Sequence, residues 1–457
     1  MAKTTPLSGF PEFLPSQRAA ELAVIDSVRE TFELHGFASI ETRSVEPLDE
    51  LMRKGETSHE VYVLRRLQAD ADEGDAGLGL HFDLTVPLAR YVVEHQGHLA
   101  FPLRRYQIQR CWRGERPQEG RYREFTQADI DIIGRDELHL DADIEVTTVM
   151  AEALSRLPLP PITLRVNNRK LIEGFYRGLG IDDPLPVIRA IDKLAKIGPD
   201  GVRTQLLEAG LDPDRADQCL DLAQINRDDA SFVDDVRKLG VTHPLLDQGL
   251  DELAQAIESA APANTERFTV LADLKIARGL DYYTGTVYEG FTAELGNLSI
   301  CAGGRYDSLA SDRRSTYPGV GISLGITRLL APLIARGLLD ADRSVPSCVL
   351  VAVPDDATRP VSREVARRLR SRGIPTEVAP SAAKYGRQIR HADRRGIPYV
   401  WFPPTIGPTG DPPGGHQVRD IRSGDQVDAD PDAWQPPTAD LRPRIVSKAV
   451  PTEKGDT

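Results

Sequence analysis

Residues 112–131, WRGERPQEGRYREFTQADID, concentrate side chains whose types and spacing could do chemistry. Pro117 and Gly120 predict a turn between two strands. Alternate residues of the second strand share a face, which carries two cations, an aromatic ring, an amide and two carboxylates: Arg121, Arg123, Phe125, Gln127, Asp129 and Asp131. The same pattern also fits a solvent-facing polar strand with incidental cross-strand pairs.

Two further segments carry similar groups. In HFDLTV at residues 81–86, strand alternation puts Asp83 and Thr85 on one face. RGLDYYTGTVYE at residues 278–289 predicts a β-hairpin with an arginine and two tyrosines at its start. Arginine suits phosphate oxygens, and carboxylates suit an ammonium or imidazole N–H. If the three faces converge, the pocket could bind a small amino compound at one end and a polyphosphate at the other.

The usual phosphate-binding loops are missing from the sequence. It contains no GxxxxGK[ST] loop, and no GxGxxG follows a predicted strand. The glycine-rich run at residues 319–329, GVGISLGITRL, is more typical of close packing between a strand and a helix.

The elements that must position these residues follow from hydrophobic periodicity. Helical spacing over residues 16–35 predicts a helix that stops at Gly36. Frequent short alternating runs then predict strands of an antiparallel sheet, near 37–45, 61–66, 80–86, 103–113 and 121–133. Helical patterns fill 165–260, strand patterns return at 268–300, and an apolar helix is expected near 323–336. The expected fold class is therefore α+β.

A different composition begins after Pro346, where strand and helix patterns alternate as in a small α/β domain. Pro360 suits the first turn of one helix and Gly373 its end. We predict a core formed by 1–164 and 265–336, a helical insertion at 165–264 and an α/β domain at 346–434. The Pro-rich, polar segment 435–457 is expected to be disordered.

Composition bounds the class of protein. The 457 residues include 40% hydrophobic and 27% charged side chains, with four widely spaced cysteines and no CxxC. These values indicate a globular protein of a reducing compartment, and with no signal-peptide pattern or long apolar run we expect a cytoplasmic location. The net charge is −13, but residues 104–124 carry a local +4 and residues 358–395 a local +8. Such runs are either solvent-exposed surfaces or local patches that bind a polyanion.

Five separated segments resemble one known family. RGERPQEGRYREF resembles motif 2 of class II aminoacyl-tRNA synthetases, and GVGISLGITRL resembles motif 3. RGLDYYTGTVYE and AGGRYDSL resemble the two signatures of the histidyl-tRNA synthetase family. KYGRQIRHADRRGIPYV resembles that family's anticodon-binding domain. The resemblance covers roughly residues 8–434.

This resemblance implies a fold and a reaction. The fold is a class II antiparallel sheet core flanked by helices, with a helical insertion and a C-terminal α/β anticodon-binding domain. The reaction activates histidine with ATP and transfers it to the 3′ end of the histidine tRNA. Magnesium arrives with ATP, no structural metal is implied, and the expected assembly is a homodimer that binds neither membrane nor DNA.

The resemblance also assigns roles to residues. By this resemblance, the α-amino group of histidine is bound by Asp83, Thr85 and Gln127. The imidazole is bound by Asp131 and Tyr283, with Tyr282 nearby. The catalytic residues at the α-phosphate are Arg113 and Arg278, while Glu115 holds adenine, Arg121 the terminal phosphate, and Arg328 stacks on the base. Contacts with tRNA fall to Arg116 and Gln118 at the acceptor end, and to Lys384, Arg387 and Arg390 in the anticodon domain.

Two positions depart from the family pattern. Arg43 stands where motif 1 normally has its proline, and Thr327 replaces the glutamate before the motif 3 arginine. Asp83, where other members have a glutamate, resembles a known branch of the family. Two rival functions stay open: a catalytically silent paralogue that regulates ATP phosphoribosyltransferase, and a tRNA-sensing module without chemistry. The paralogue typically lacks the anticodon-binding domain, and ATP binding would separate the sensing module from an enzyme.

Overall fold

The computed structural model describes residues 5–52, 60–66, 77–276, 283–296, 298–311, 314–404 and 415–447. The chain divides into two compact units. The first comprises Met1–Pro11 and Ile25–Leu333, and the second comprises Glu12–Val24 and Ile334–Thr457.

The helices and strands are numbered in chain order. The helices are α1 (Pro15–Leu34), α2 (Leu48–Leu51), α3 (Thr85–His95), α4 (Asp141–Ser155), α5 (Arg169–Gly178), α6 (Leu185–Ile191), α7 (Leu194–Glu208), α8 (Pro213–Gln224), α9 (Phe232–Lys238), α10 (Pro244–Ala260), α11 (Ile326–Ala335), α12 (Arg359–Ser371) and α13 (Tyr385–Asp393). The strands are β1 (Ala38–Ser39), β2 (Val45–Pro47), β3 (Leu78–Leu80), β4 (Leu103–Trp112), β5 (Glu124–Ile133), β6 (Ile162–Asn168), β7 (Asn226–Arg227), β8 (Phe268–Asp273), β9 (Thr286–Thr292), β10 (Cys301–Ser311), β11 (Thr316–Gly325), β12 (Leu339–Ala341), β13 (Val349–Val351), β14 (Thr376–Val378), β15 (Tyr399–Phe402), β16 (Gln417–Asp420), β17 (Gln426–Asp428) and β18 (Ile445–Ser447). In the described ranges, no helix is both long and apolar enough to cross a bilayer.

The first unit is built on a nine-stranded sheet in the order β1-β4-β5-β11-β10-β9-β6-β8-β7. Its pairs are antiparallel except β1 with β4 and β6 with β8, so the predicted antiparallel sheet is confirmed for most of its width. Helix α4 packs on this sheet through a stripe of fully buried residues: Val146, Val149 and Met150. The fold class is therefore α+β, as expected.

The predicted strand at residues 80–86 is wrong beyond Leu80. Strand β3 ends there, and helix α3 begins at Thr85. The Asp83 carboxylate accepts a hydrogen bond of 3.0 Å from the Val86 backbone N–H, which satisfies a donor of the first helical turn. Asp83 and Thr85 therefore do not share a strand face. The predicted strand at 61–66 is reduced to one isolated bridge, Val63 with Gly79.

Most other predicted elements are confirmed, with shifts at their ends. Helix α1 stops two residues before Gly36, whose φ of 76° suits the end of a helix. The run from residue 316 to 325 is strand β11, and the apolar helix starts only at Ile326. Within residues 169–260, the regular structure consists of helices α5 to α10 and the two-residue strand β7. The first arm of the predicted hairpin, residues 278–282, lies outside the described residues.

The second unit contains a five-stranded sheet in the order β14-β13-β15-β16-β17. Its strands alternate with α12 and α13 as predicted, and Trp401 is fully buried in its core. The prediction of a disordered tail is wrong for residues 435–447, because β18 pairs with β12 and the Asp440 side chain is buried. The rest of that segment, 448–457, lies outside the described residues.

Candidate active site

Three cross-strand rows bring polar side chains of β4 and β5 beside small residues of β11. They are Arg105–Asp131–Gly321, Gln107–Asp129–Ser323 and Gln109–Gln127–Gly325. Directly paired residues of antiparallel strands share a face, so these groups form one polar surface in the middle of the sheet. Asp129 and Asp131 are only 3% and 4% exposed. The alternative of a solvent-facing polar strand is therefore wrong at these two positions.

The glycines of β11 and β10 make room for these side chains. A Cβ at Gly321 would lie 2.1 Å from Asp131 Oδ1, and a Cβ at Gly319 would lie 2.5 Å from the Tyr306 ring. A Cβ at Gly304 would lie 2.7 Å from the Tyr283 ring. Contacts this short exclude any larger residue, so the glycine-rich run serves the polar face of the sheet as well as its packing.

Asp131 is held by two neighbours. Its Oδ2 lies 2.5 Å from Arg105 Nη2, and its Oδ1 accepts a hydrogen bond of 2.7 Å from the Tyr306 hydroxyl. Arg105 is fully buried, so this ion pair is shielded from water. Neither neighbour is among the site residues predicted from the sequence. The alternation in RYQIQ at residues 105–109 could have indicated Arg105, and AGGRYDSL contains Tyr306.

Burial raises the pKa of Asp129 from 3.8 to about 7. The negative charges of Asp131 and Asp83 act in the same direction, while Arg105 and the Ser323 hydroxyl oppose the rise. Asp129 therefore changes its charge near neutral pH. The Gln127 amide donates a hydrogen bond to Ser323 Oγ on the facing strand.

Tyr283 lies among the same carboxylates. Burial raises the pKa of its phenol, and the charges of Asp131, Asp83 and Asp129 raise it further. The hydroxyl therefore stays neutral and able to donate a hydrogen bond. The structure thus brings Tyr283 together with Asp83 and Asp131. Two predicted partners, Arg278 and Tyr282, lie outside the described residues.

An open cleft with a cavity volume of about 180 Å³ borders one end of this surface and contains several cations. Its lining includes Gln127 and Ser323 together with the predicted nucleotide-binding residues Arg113, Glu115, Arg121 and Arg328. The Arg113 side chain is fixed, because its Nε donates a hydrogen bond of 3.0 Å to the Phe82 carbonyl. Its guanidinium also lies 5.1 Å from the centre of the Phe125 ring.

Glu115 stands between two arginines of this cleft. Its carboxylate is 3.9 Å from the nearest Arg113 nitrogen and 3.5 Å from the nearest Arg121 nitrogen. The loop between them turns at Gly120, where φ is 72°, and Gln118 and Arg121 exchange backbone hydrogen bonds of 3.1 and 2.9 Å. The predicted turn is therefore confirmed. Arg116 and Gln118 are exposed at its tip.

Comparison with known families decides the assignment. Residues 9–329 match the family model for histidyl-tRNA synthetase. The chain belongs to the histidyl-tRNA synthetase family. Residues 347–433 match the model for an anticodon binding domain.

Individual relatives agree over nearly the whole chain. The chain is 58% identical to the histidine–tRNA ligase of Cutibacterium acnes, with 98% of this chain and 99% of the relative covered. It is 54% identical to that of Micrococcus luteus, with 97% and 99% covered. The crystal structure of histidyl-tRNA synthetase from Nostoc sp. PCC 7120 superposes with a TM-score of 0.82 at 33% identity, covering 94% of this chain and 97% of that one.

The two residues that depart from the family motifs, Thr327 and Arg43, both make specific contacts in the structure. The Thr327 hydroxyl accepts a hydrogen bond of 2.8 Å from the Thr126 backbone N–H, close to the point where β11 ends and no longer pairs with β5. Arg43 forms an ion pair of 3.0 Å with Glu46, a fully buried carboxylate that also binds Arg90 at 2.7 Å. Both substituted side chains thus satisfy buried backbone or charged groups.

In the second unit, α12 and α13 both carry exposed cations. Lys384, Arg387 and Arg390 are exposed and three residues apart, running from the residue before α13 to its last turn. Several arginines at α12 are held within the unit: Arg367 by Glu364, Arg368 by Asp432, and Arg372 by backbone carbonyls of residues 431 and 434.

Proposed function

We propose that this chain is a histidine–tRNA ligase, which activates L-histidine with ATP to histidyl-adenylate and transfers the histidyl group to the 3′ end of the histidine tRNA. One observation carries this proposal. A cleft lined by arginines suited to phosphates also borders Gln127 and Ser323, which lie on the same face of the sheet as the buried carboxylates of Asp129 and Asp131, suited to an amino acid with cationic groups. Family membership and near full-length identity to histidine–tRNA ligases support the same reaction.

The acidic end binds histidine. Asp83, Thr85 and Gln127 take the α-amino group, while Asp131 and Tyr283, with Tyr282 nearby, take the imidazole. Asp131 is held in one orientation by Arg105 and Tyr306, so it can accept an imidazole N–H without rearranging. An amino acid without that N–H would leave the buried carboxylate unpaired, and this penalty gives the pocket its specificity.

The arginine end binds ATP and stabilises the transition state. An oxygen of the histidine carboxylate attacks the α-phosphorus, a C–O–P link forms, and diphosphate leaves with the electron pair of the broken P–O bond. Arg113 and Arg278 contact the α-phosphate, where negative charge develops. Glu115 holds adenine, Arg121 binds the terminal phosphate and Arg328 stacks on the base. Magnesium enters with ATP as part of the substrate.

The tRNA contacts both units. Arg116 and Gln118, exposed on the loop next to the cleft, meet the acceptor end. Lys384, Arg387 and Arg390 on α13 meet the anticodon stem-loop, where phosphate contacts supply affinity and unstacked bases supply specificity. The family resemblance supports residues 165–264 as a helical insertion, a homodimer as the working assembly and the cytoplasm as the location.

Charging of tRNA tests the whole proposal. The purified chain, ATP, magnesium and radiolabelled histidine should yield acid-precipitable histidyl-tRNA with histidine tRNA, and background counts with phenylalanine tRNA. A folded protein that binds histidine tRNA but neither binds ATP nor charges the tRNA would contradict the proposal and favour the sensing module. The matched anticodon-binding domain speaks against the regulatory paralogue, which typically lacks it.

A further inference from the structure

Asp129 is a buried carboxylate in the acidic surface to which the proposed roles assign no function. It lies between Gln127 and Asp131 along β5, on the same face as both. The side chain is 3% exposed, and within the described residues its Oδ1 has no hydrogen-bond partner. A buried carboxylate oxygen without a donor is costly, so its presence calls for a ligand that supplies one.

The neighbouring cation is already engaged. Arg105 makes its close ion pair with Asp131, at 2.5 Å, while Tyr306 donates to the other Asp131 oxygen. Asp129 instead has beside it the Ser323 hydroxyl, which also accepts from the Gln127 amide. Asp129 therefore lies on the Gln127 side of the pocket, where the α-amino group of histidine is proposed to bind.

The local charge balance favours a cationic ligand. Three carboxylates, those of Asp83, Asp129 and Asp131, act on Tyr283 from close range, and among the described residues Arg105 is the arginine whose charge acts most strongly on Asp129. With all three ionised, this group carries a net negative charge that an ammonium ion would neutralise.

We propose that Asp129 is a histidine-binding residue whose Oδ1 accepts a hydrogen bond from the α-ammonium group of the substrate, beside Asp83. This inference rests on the proposed function, because it names an additional contact in the same site. It distinguishes Asp129 from Asp131, whose carboxylate is oriented toward the imidazole by Arg105 and Tyr306.

The charged groups around Asp129 predict how binding depends on pH. Asp131 on β5 and Asp83 before α3 disfavour its ionised form, and Arg105 on β4 favours it. Two further groups face the same surface, Cys111 on β4 and Tyr283, and burial raises the pKa of both, so they remain neutral at pH 7. Because an ammonium ion needs the ionised carboxylate, histidine should displace the proton that Asp129 carries below its pKa of about 7.

The test is calorimetric titration of the full chain with histidine at pH 6.5 and pH 8, in buffers of different ionisation enthalpy. The variants are Asp129→Asn and a control, Asp221→Asn, which makes the same substitution at an exposed site on α8. At pH 6.5 the wild type should release roughly 0.7 of a proton more than Asp129→Asn. The ligand's own protonation is the same in both titrations and cancels.

The affinity at pH 8 gives a second readout. Replacing the carboxylate by an amide should raise the Kd for histidine by about 10-fold to 100-fold, the value of a charge-assisted hydrogen bond. Imidazolepropanoate, which lacks the ammonium group, should bind both proteins with Kd values within about twofold of each other, since the lost contact is absent from both. The Asp221→Asn protein should match the wild type in every titration.

Each other outcome overturns the inference in an identifiable way. Equal proton release and equal Kd in wild type and Asp129→Asn would remove Asp129 from the site. An equal loss of affinity for histidine and imidazolepropanoate would place the contact at the imidazole instead. If the wild type charges tRNA and binds histidine no better than Asp129→Asn, the inference fails and the proposed function stands; a wild type that binds no histidine removes both claims.

Discussion

At the scale of single residues, the buried carboxylates set the pH response of the protein. Asp129 has a folded-state pKa of about 7, above its ordinary value of 3.8. The folded state therefore binds a proton that the unfolded chain has already lost between those pH values. Its contribution to stability is fully present below about pH 4, declines as the pH rises, and is lost above about pH 7.

This shift predicts a pH-dependent effect of one substitution. The gain in the free energy of unfolding from Asp129→Asn should be larger at pH 8 than at pH 5, by about 2–3 kcal/mol, because the amide carries no charge to bury. Urea denaturation of both proteins without histidine measures the difference at each pH. Asp221→Asn serves as the control. A difference that is the same at both pH values would show that Asp129 does not titrate between them.

At the scale of elements, side chains accept hydrogen bonds from backbone groups that have no partner on the neighbouring strand. The Thr126 N–H lies one residue beyond the last pair of β5 with β11, and Thr327 supplies the missing acceptor from the first turn of α11. Thr327 thus joins the strand carrying Gln127 to the helix carrying Arg328. The side chain is 3% exposed, so water cannot replace the hydroxyl.

Removing that hydroxyl predicts a measurable loss. Thr327→Val keeps the shape but leaves the Thr126 N–H without its acceptor, so the free energy of unfolding should fall by about 1–3 kcal/mol. Thr327→Ser keeps the hydroxyl and should lose less, since only a methyl group is removed. Chemical denaturation of the three proteins provides the comparison. If the valine variant is as stable as the wild type, the bond between Thr327 and Thr126 contributes nothing.

Some of the arrangement of these elements could be predicted from the sequence. Alternation correctly predicted that Gln127, Asp129 and Asp131 share a face, because side chains of a strand must alternate. It failed at Asp83, since a carboxylate that caps a helix leaves the same local pattern as a polar strand position. The row Arg105–Asp131–Gly321 could not be predicted, because strand register depends on contacts between residues far apart in the chain.

At the scale of the whole molecule, activation and tRNA binding should be separable by mutation. Arg387→Ala combined with Arg390→Ala removes two exposed cations of α13, so kcat/KM for tRNA charging should fall by about tenfold or more and depend less on salt. Histidine-dependent ATP–diphosphate exchange should not change. Arg367→Ala, which removes an exposed arginine already paired with Glu364, is the matched control. Loss of exchange in the double variant would contradict this division of labour.

Adenylate formation is the central claim, and ATP–diphosphate exchange measures it most directly. The wild type should exchange label into ATP only when histidine is present. Arg113→Ala should lower kcat by about 100-fold to 1,000-fold, because it removes a fixed cation from the α-phosphate. Arg177→Ala, an exposed position on α5, should leave the rate unchanged. Exchange that is absent in the folded wild type, or that is equal in Arg113→Ala, would contradict the account.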